Sequence, residues 1–345
     1  MRLLIITDAW HPQINGVVRT YEHLIKELET IGHQIEVISP TDFPLRIPLP
    51  GYSEIKLALA PSRRLKKMIE AHTPETIHIA TEGPLGWAAR KYCVKNNLNF
   101  STCYHSHFPD YFAKRVASFL PFLYDHVHEG TKKLVRRFHA SAQTMMIATQ
   151  SLEDELKSWD FKTPMLRLSR GVDLDLFSPG EKTLFHDLPE PVALYVGRIA
   201  IEKSIEDFLK MEWDGSKVVV GDGPIRAKLS RKYPDVHFVG AKQGEALAAH
   251  YRSADVFVFP SRTDTFGMVQ IEALACGLPV AGYNVRGPQD IITEPFLGVL
   301  GDNLSDAAHK ALKTGTKIQR NEHIQKHYSW ENVAQQFTKA MIPVK

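Results

Sequence analysis

The sequence predicts an α/β protein with two doubly wound parallel-sheet domains, and three observations support that prediction. The chain has 345 residues, which is long for one domain and comfortable for two. Short apolar runs alternate with helical stretches along most of its length, a pattern typical of βα units and a parallel sheet. A polar, proline-bearing run over 178–191 interrupts the alternation and indicates a linker.

The composition excludes several other classes of protein. Hydrophobic residues make up 43% of the chain and charged residues 23%, as in ordinary globular proteins. The three cysteines lack metal-binding spacing and favour a reducing compartment over a disulfide framework. No apolar run approaches the roughly 20 residues of a membrane span, and Asp8 cuts off the first one with no cleavage site after it. We therefore expect a cytoplasmic protein without a signal peptide.

The charge is distributed unevenly. The net charge of +3 is too small to argue for nucleic acid as a partner. Residues 1–170 contain 22 lysines and arginines against 17 acidic residues, about +5, and the remainder contains 20 against 22, about −2. This asymmetry can indicate an anionic partner such as a membrane face or a phospholipid. A chance excess of solvated lysines explains it equally well.

The first predicted strand, Leu3 to Thr7, leads through a long loop into an amphipathic helix over 17–30. Gly16, at the start of that helix, would let the backbone approach a diphosphate closely. The loop has no G-x-G-x-x-G pattern, so a nicotinamide cofactor fits poorly. An Asn-Gly pair before a helix is, by itself, more often a turn.

Further βα units complete the first domain. Its other strands are predicted over 34–39, 76–80, 100–106, 144–149 and 164–169, with helices over 61–72, 84–96 and 151–158 (Ser151 as cap) and a proline-rich loop over 40–50. His105 and His107 stand at the carboxyl end of the strand predicted over 100–106. The carboxyl ends of parallel strands form ligand sites, and a histidine there can accept or orient a proton. The alternative is a pair of capping or surface histidines.

Residues 108–139 combine aromatic and basic side chains. Such a stretch can lie on an anionic membrane, with its aromatic groups embedded and its cations at the phosphates. It can equally consist of core aromatics beside solvated lysines.

The second domain is predicted to start with a buried strand over 192–196. Arg198 and Lys203 follow it, and two cations at a strand end could bind a diphosphate and stabilise the charge of a leaving group. Surface salt bridges are the alternative. Further strands are predicted over 217–220, 236–240, 256–259 and 279–281, and helices over 243–252, from Gly267 to Cys276, and near 304–313, 318–328 and 330–342.

Two carboxylates stand out in the second domain, Asp264 before a helix and Glu272 within it. A carboxylate in a buried helix is costly unless a ligand or partner satisfies it. The amides at the start of the same helix suit a phosphate or a sugar hydroxyl. Glu272 could then accept hydrogen bonds from ribose hydroxyls, and Asp264 from the hydroxyls of a sugar. Alternatively, Asp264 starts the helix and Glu272 is an interior ion-pair partner.

Five segments together resemble the retaining glycosyltransferases of family 4, which have the GT-B fold of two Rossmann-like domains facing across a cleft. The segments are DAWHPQINGVV (8–18), YHSHFPDY (104–111), RGVDLDLFSP (170–179), GRIAIEKS (197–204) and SRTDTFGMVQIEALACGLPV (261–280). The resemblance covers nearly the whole chain and is nearest the branch that transfers mannosyl, glucosyl and sulfoquinovosyl groups to bacterial glycolipids. In one departure, Asp264 stands where the E-x7-E motif has its first glutamate.

The resemblance implies an acceptor-side domain over 1–177, a linker over 178–190 and a donor domain over 191–329, with the last helix, 330–345, packing back on the first domain. It implies a retaining, metal-independent transfer of a hexose from a UDP- or GDP-linked sugar, without a cofactor. Implied catalytic residues are His105, Asp264, Arg198 and Lys203. Implied donor contacts are Gly16, Arg198, Lys203, Gly223, Asp264, Phe266, Gly267, Met268, Val269 and Glu272, and His107, Asp8 and Arg170 are expected near the acceptor.

The expected acceptor is a membrane lipid such as diacylglycerol, reached by a protein that is peripheral on the inner face of the cell membrane. A soluble saccharide, or one in a polysaccharide or lipopolysaccharide, is the alternative acceptor. A sugar-nucleotide epimerase or hydrolase, and a non-catalytic sugar-nucleotide-binding subunit, are alternatives of other classes. The donor base, the sugar and the oligomeric state stay open.

Overall fold

The chain forms two compact units, each built around one six-stranded parallel sheet. The first unit comprises Met1–Ser169 and Val333–Lys345, and the second comprises Arg170–Asn332. The two sheets confirm the predicted fold class of two Rossmann-like domains. The computed structural model describes residues 1–13, 15–49, 52–105, 124–264 and 266–345.

The first unit contains a sheet of order β2-β1-β5-β6-β7-β8 with helices between its strands. The apolar side chains of β1 and β5 are almost fully buried, so these two strands lie in the core. In chain order the described elements are β1 (Arg2–Ile6), α1 (Gly16–Thr30), β2 (Gln34–Ile38), β3 (Arg46–Leu49), β4 (Tyr52–Ala58), α2 (Ser62–His72), β5 (Thr76–Ile79), α3 (Pro84–Lys95), β6 (Ser101–Cys103), α4 (Tyr124–His139), β7 (Thr144–Ile147), α5 (Gln150–Ser158) and β8 (Met165–Arg167).

The second unit repeats this architecture with the order β11-β10-β9-β12-β13-β14. The first strand is fully buried, as its continuous apolar run predicts for a central parallel strand. The elements are β9 (Val192–Val196), a 3-10 turn (Ile201–Lys203), α6 (Ile205–Lys210), β10 (Ser216–Val220), α7 (Arg226–Lys232), β11 (His237–Gly240), α8 (Gly244–Ser253), β12 (Val256–Phe259), α9 (Met268–Ala275), β13 (Val280–Tyr283), α10 (Pro288–Ile291), β14 (Gly298–Gly301), α11 (Leu304–Ala311) and α12 (Lys317–Tyr328).

Strand order creates one switch point in each sheet. The chain adds β2 on one side of β1 and β5 on the other, and it adds β10 on one side of β9 and β12 on the other. Open α/β sheets bind ligands beyond the carboxyl ends of the strands at such points, because the flanking loops diverge there. The loops after β1 and β5, and those after β9 and β12, are therefore the first places to look for a site.

The last helix, α13 (Trp330–Ala340), starts in the second unit and continues in the first. The ring of Phe337 is fully buried and packs edge-on against His78, with centroids 4.9 Å apart. Gln336 Oε1 accepts a hydrogen bond of 2.8 Å from the Ser169 amide, and the Val344 amide donates to the Glu75 carbonyl at 2.9 Å. These contacts make the C-terminal segment part of the first unit's core.

The structure differs from the predicted boundary at residue 177, because residues 170–177 lie in the second unit. The Val172 amide donates to the Tyr328 carbonyl at 2.8 Å. A Cβ atom on Gly171 would lie 2.3 Å from Trp330 Cδ2, so glycine is what lets the backbone pack on that ring. Both contacts hold the segment against the end of α12 and the start of α13.

Two local predictions were wrong. The proline-rich stretch predicted as a loop forms an antiparallel hairpin of β3 and β4, in which Pro48 pairs with Lys56. Proline is tolerated there because each strand of a two-stranded sheet has an edge that needs no N–H donor. Helix α5 is capped by Thr149 rather than Ser151, since Thr149 Oγ1 accepts from the Leu152 amide at 3.3 Å. Among the described helices, none has both the length and the apolar character needed to cross a bilayer.

Candidate functional site

An ion pair joins the two loops at the switch point of the second unit. Lys203 Nζ lies 2.5 Å from Asp264 Oδ1, and both side chains are partly exposed, at 30% and 22%. Thr263 Oγ1 adds a hydrogen bond of 3.3 Å to the Glu202 carbonyl. Because β9 and β12 are neighbours, their carboxyl-terminal loops rise side by side. The structure thus brings together the predicted diphosphate cation and the predicted sugar ligand.

Arg198 lies in the same loop, but its side chain makes only a weak ion pair. Its side chain is 65% exposed, and its Nη1 is 3.7 Å from Glu202 Oε1, a distance and exposure at which an ion pair contributes little. Its main chain is fixed instead, because the Tyr195 hydroxyl donates to the Arg198 carbonyl at 2.8 Å. Burial raises the pKa of Tyr195, so this donor stays protonated. The guanidinium can therefore turn toward an anion without moving the backbone.

The start of α9 lies directly after this loop. Gly267 caps the helix with φ of +83°, and its first turn contains no acidic residue. A Cβ at Gly267 would lie 2.8 Å from Phe259 Cζ, so both the backbone conformation and the space require glycine. Phe266 is only 6% exposed and packs on Tyr328, which leaves its backbone rather than its ring for a ligand. Met268 and Val269 are half-buried, and the first amides of a helix lack intrahelical partners.

Glu272 is held from one side by a residue that sequence reasoning missed. The Tyr251 hydroxyl donates to Glu272 Oε2 at 2.9 Å, and Tyr251 is fully buried in α8. Burial raises the pKa of Tyr251 well above its usual value, with the Glu272 charge adding to the effect. The tyrosine therefore remains a donor and orients the carboxylate. No motif signals this pairing, since it joins two helices through the tertiary fold.

Gly223 has a packing role. A Cβ there would lie 2.2 Å from the Ile199 carbonyl oxygen, so glycine lets the loop after β10 pass close to the loop after β9. This close approach explains the glycine without a ligand, and its contact with a donor stays a prediction.

Asp8 caps a helix in the first unit. Its carboxylate accepts hydrogen bonds from the amides of Leu85 (2.9 Å) and Gly86 (3.1 Å) at the start of α3, and from Thr81 Oγ1 (3.1 Å). Gly83, the N-cap of that helix, has no side chain to do this. Burial raises the pKa of Asp8 from 3.8 to about 6, although these hydrogen bonds favour the charged form. The geometry ties the loops after β1 and β5 together and gives Asp8 a structural role, while its predicted place near the acceptor stays a prediction.

The start of α1 is partly closed by its own cap. Asn15 Oδ1 accepts from the amides of Val17 and Val18, both at 3.0 Å, so those two donors are engaged. Gly16 itself is open: among the described residues, no atom lies within 4 Å of a Cβ built on it. Local packing in that part of the chain therefore does not demand glycine, and the close approach of a ligand stays a prediction.

His105 follows β6 and is in contact with Tyr21. Its Nε2 lies 3.0 Å from the Tyr21 hydroxyl, and its Nδ1 lies 3.7 Å from Cys103 Sγ. His107 lies outside the described residues. Arg170 is half-buried and belongs to the second unit rather than to the first, in which it was expected; its contact with an acceptor stays a prediction. Within the described ranges, no group of three or more His, Cys, Asp or Glu side chains is arranged to hold a metal.

Two family models match the chain. The model described as Glycosyltransferase Family 4 matches residues 14–176, and the one described as Glycosyl transferases group 1 matches residues 181–329. Together they span both units.

Three curated relatives are similar over most of the chain. The chain is 30% identical to a GDP-mannose-dependent alpha-mannosyltransferase of Mycolicibacterium smegmatis, over 88% of this chain and 84% of the relative. It is 28% identical to a sulfoquinovosyl transferase of Arabidopsis thaliana, over 86% of this chain but only 62% of that longer protein. It is 26% identical to an alpha-monoglucosyldiacylglycerol synthase of Acholeplasma laidlawii, over 95% of this chain and 87% of the relative.

A solved structure has the same fold. The sucrose-phosphate synthase of Thermosynechococcus elongatus superposes with a TM-score of 0.73, covers 98% of both chains and is 22% identical in sequence. At that identity the likeness concerns the fold alone.

Proposed function

This chain belongs to the glycosyltransferases of family 4, and we propose that it is a retaining, metal-independent hexosyltransferase that glycosylates a lipid hydroxyl. The family resemblance and the GT-B fold class stated from the five segments are confirmed. The finer features of the reaction are argued below from the residues at the two switch points.

The observation that carries the proposal is the Lys203–Asp264 pair beside the start of α9. A nucleotide-sugar donor brings a diphosphate and a sugar with several hydroxyls. Lys203 supplies a cation, α9 supplies amides and a partial positive charge, and Asp264 supplies an acceptor for hydroxyls. Arg198 is exposed enough to add a second cation. These charges would stabilise the diphosphate as it leaves, which is the task a metal ion performs in other transferases.

The proposed reaction needs no covalent intermediate. The bond between the anomeric carbon and the diphosphate breaks as the acceptor hydroxyl attacks from the face that the diphosphate leaves. The new glycosidic bond then has the configuration of the donor, and the hydroxyl proton goes to the departing phosphate oxygen. Lys203 and Arg198 assist by neutralising the charge that grows on that oxygen.

The remaining residues position the donor. Glu272 would accept hydrogen bonds from the ribose, with Tyr251 setting the plane of its carboxylate. Asp264 is shorter than glutamate and already holds Lys203, so it would both contact the sugar and align the cation. His105 would orient the transferred sugar. UDP- and GDP-linked hexoses both satisfy these contacts, and a thermal-shift screen with each donor would distinguish them.

A lipid acceptor is supported by a relative and by the surface of the first unit. The name of the Acholeplasma relative specifies a diacylglycerol product. On the β3–β4 hairpin, Leu45, Ile47 and Leu59 are 63%, 47% and 48% exposed. The Leu59 amide donates to the Leu45 carbonyl, so these two leucines are cross-strand neighbours. We call these three side chains the hairpin apolar face.

Exposed cations lie near that face. Helix α2 exposes four of them on the side away from its buried Leu65 and Ile69, namely Arg63, Arg64, Lys66 and Lys67. Both α2 and β4 pack on α3, so the hairpin and the helix lie on one side of the unit. Apolar side chains flanked by cations suit an anionic lipid surface, and we propose that the protein docks there as a peripheral membrane protein.

The aromatic and basic stretch over 108–139 gives less support to membrane binding than the hairpin does. Residues 106–123 lie outside the described part of the chain. In α4, Lys132 lies 2.9 Å from Glu129 and 4.8 Å from the centroid of the Trp159 ring. Arg136 donates to the Trp159 carbonyl at 3.2 Å. These two cations already have partners within the protein.

The decisive test is product analysis with the purified protein, UDP- and GDP-hexoses, and diacylglycerol vesicles in the presence of a chelator. We expect a glycolipid with the donor's anomeric configuration. An inverted product, or activity that the chelator abolishes, would contradict the mechanism. Transfer only to soluble saccharides would favour the alternative acceptor. Rapid release of free or epimerised sugar without acceptor would favour a hydrolase or an epimerase, and donor binding without turnover a non-catalytic subunit.

Lys203→Ala tests the site itself. Loss of a charged group that stabilises a leaving group costs about 3 kcal/mol, so kcat/KM should fall about 100-fold. The pair with Asp264 is partly exposed, so the folded state should lose less than about 1 kcal/mol. Lys210→Ala, an exposed lysine on the neighbouring α6, is the matched control and should leave kcat/KM unchanged. Activity of Lys203→Ala within threefold of wild type would exclude the assigned role.

A further inference from the structure

A buried chain of hydrogen bonds runs behind His105. The Tyr21 hydroxyl lies 3.0 Å from His105 Nε2 and 2.7 Å from His78 Nε2. On its other side, His78 Nδ1 lies 2.8 Å from Ser101 Oγ. Tyr21 and His78 are fully buried and Ser101 is 2% exposed. This chain of hydrogen bonds therefore links α1, β5 and β6 to His105, which lies just after β6.

The number of available protons limits which groups in this chain of hydrogen bonds can donate and which must accept. A phenol hydroxyl has one proton, so Tyr21 can donate to only one of the two Nε2 atoms and satisfies the other by accepting from it. If Tyr21 donates to His78, then His105 carries its proton on Nε2, and His78 carries its proton on Nδ1 and donates it to Ser101. If Tyr21 donates to His105, then His78 carries its proton on Nε2 and His105 carries its proton on Nδ1.

We propose that Tyr21, His78 and Ser101 are positioning residues that lock His105 and His78 into opposite tautomers and fix the His105 ring for contact with the sugar. This inference rests on the proposed role of His105 in the transfer reaction. Tyr21 is the central member, because its single hydroxyl couples the two rings. None of the three needs to touch substrate, since each acts through the next.

The surroundings keep the chain neutral and rigid. Complete burial lowers the pKa of His78 to about 3, so its ring stays uncharged and must hold a single proton. Phe337 packs edge-on against the His78 ring, and the Tyr21 and His105 rings are in edge contact with centroids 5.4 Å apart. Rings confined in this way cannot flip to exchange partners without disturbing the core. A ring held by its partners also loses less freedom when substrate binds.

The first experiment is independent of activity. Long-range proton–nitrogen correlation spectra of protein labelled in the histidine rings distinguish protonated from unprotonated ring nitrogens. His78→Gln and His105→Gln variants assign the two signals among the 16 histidines. We expect one ring protonated at Nδ1 and the other at Nε2. The same tautomer in both rings, or rapid exchange between tautomers in either, would overturn the inference.

The second experiment uses Tyr21→Phe, which keeps the ring and removes the coupling hydroxyl. We expect His105 to lose its single tautomer, and kcat to fall about fivefold, as removal of one hydrogen bond of about 1 kcal/mol implies. KM for the donor should change less than about twofold, because the effect concerns ring placement during transfer. Ser101→Ala should shift the same signals at the far end of the chain, with a smaller effect on kcat.

Tyr92→Phe is the matched control, since Tyr92 lies in α3 of the same unit and its hydroxyl is 3.5 Å from Glu70. It should leave both the spectra and kcat unchanged. If Tyr21→Phe folds and its His105 signals and kcat match those of the wild type, the proposed coupling is refuted. The glycosyltransferase assignment would remain intact. If the wild type shows opposite tautomers but has no transferase activity, the catalytic role of His105 is refuted. The coupling of the two histidine tautomers through Tyr21 would still hold.

Discussion

Single side chains in this protein are often held by partners from distant parts of the sequence. Lys203 pairs with Asp264, Glu272 accepts from Tyr251, and Tyr21 links two histidines. In each case the partner comes from another loop, helix or strand. Groups held in this way lose little freedom when a substrate binds, which is how a site becomes preorganised.

Sequence reasoning found Lys203, Asp264, Glu272 and His105 as candidates, but not the contacts that hold them. Lys203 and Asp264 could both be placed at strand ends, because apolar runs predict the strands. Their contact depends on β9 and β12 being neighbours, and strand order is set by tertiary packing. Tyr21 and Tyr251 are aromatic residues within amphipathic helices, where a core role is the usual one. Only the fold shows that their hydroxyls meet a histidine and a carboxylate.

Gly16→Ala separates a ligand role from a structural one. Because the space around this position is open, alanine should fit, and replacing glycine in a helix should stabilise the fold by up to about 1 kcal/mol. A donor diphosphate that approaches the backbone closely would be obstructed, so we expect KM for the donor to rise about tenfold, a loss of about 1.4 kcal/mol. Thermal unfolding and steady-state kinetics measure the two effects.

Gly130→Ala is the matched control for that variant. Gly130 is a second helical glycine, in α4, and a Cβ there also meets no described atom within 4 Å. It should raise stability to a similar extent and leave kinetics unchanged. Unchanged donor KM in Gly16→Ala would show that this helix start does not face the donor.

At the scale of elements, the alternation of apolar strands and helices predicted both sheets, since parallel strands buried on both faces are continuous apolar runs. The β3–β4 hairpin was missed because four prolines over 40–50 outweighed its strand signals. Two-stranded ribbons tolerate proline where central strands do not. The pairing of elements through Asp8, at the end of β1, was also unpredicted, since a helix cap is normally sought next to its own helix.

The Asp8 cap makes the stability of the first unit depend on pH. Its pKa is raised from 3.8 to about 6 in the folded state, so the folded protein binds this proton more tightly than the unfolded chain does. The free energy of unfolding should therefore fall by up to about 3 kcal/mol as pH rises from about 4 to about 6, and then level off. Denaturant titrations across that range measure it.

Asp8→Asn should flatten that dependence while lowering stability at every pH, since an amide cannot accept all three hydrogen bonds. Asp125→Asn, at an exposed position in α4, is the control. Its free energy of unfolding should depend on pH in the same way as that of the wild type. A profile of Asp8→Asn that parallels the wild type would show that another group causes the dependence.

At the scale of the whole molecule, the two-domain architecture could be predicted from length, linker and repeated βα units. The boundary between the units could not be predicted, because residues 170–177 contain no helix or strand and their contacts with Tyr328 and Trp330 depend on the tertiary fold. The uneven charge was likewise visible in the sequence. The hairpin apolar face, on which the proposed membrane docking rests, emerged only from the exposures of individual side chains.

Membrane docking predicts a specific loss in vesicle flotation. Leu45→Glu combined with Leu59→Glu places two negative charges on the hairpin apolar face, and binding to anionic vesicles should fall at least about tenfold, through lost apolar burial and charge repulsion. Both leucines are exposed, so the fold should persist. Activity on a detergent-dispersed acceptor should be retained.

Leu166→Glu controls for the charge itself, because Leu166 is 43% exposed on β8 of the same unit. It should leave flotation unchanged. Equal flotation of the double variant and the wild type would place the membrane contact elsewhere, and a wild type that binds neither anionic nor neutral vesicles would favour a soluble acceptor.

Residues of the first unit lie on both sides of 170–332 in the sequence, so this stretch is an uninterrupted insertion into that unit. Recombination between family members could therefore exchange this stretch as a single cassette with two junctions, at 169/170 and 332/333. Under the proposed function, such a chimera would take its nucleotide-sugar preference from one parent and its acceptor preference from the other.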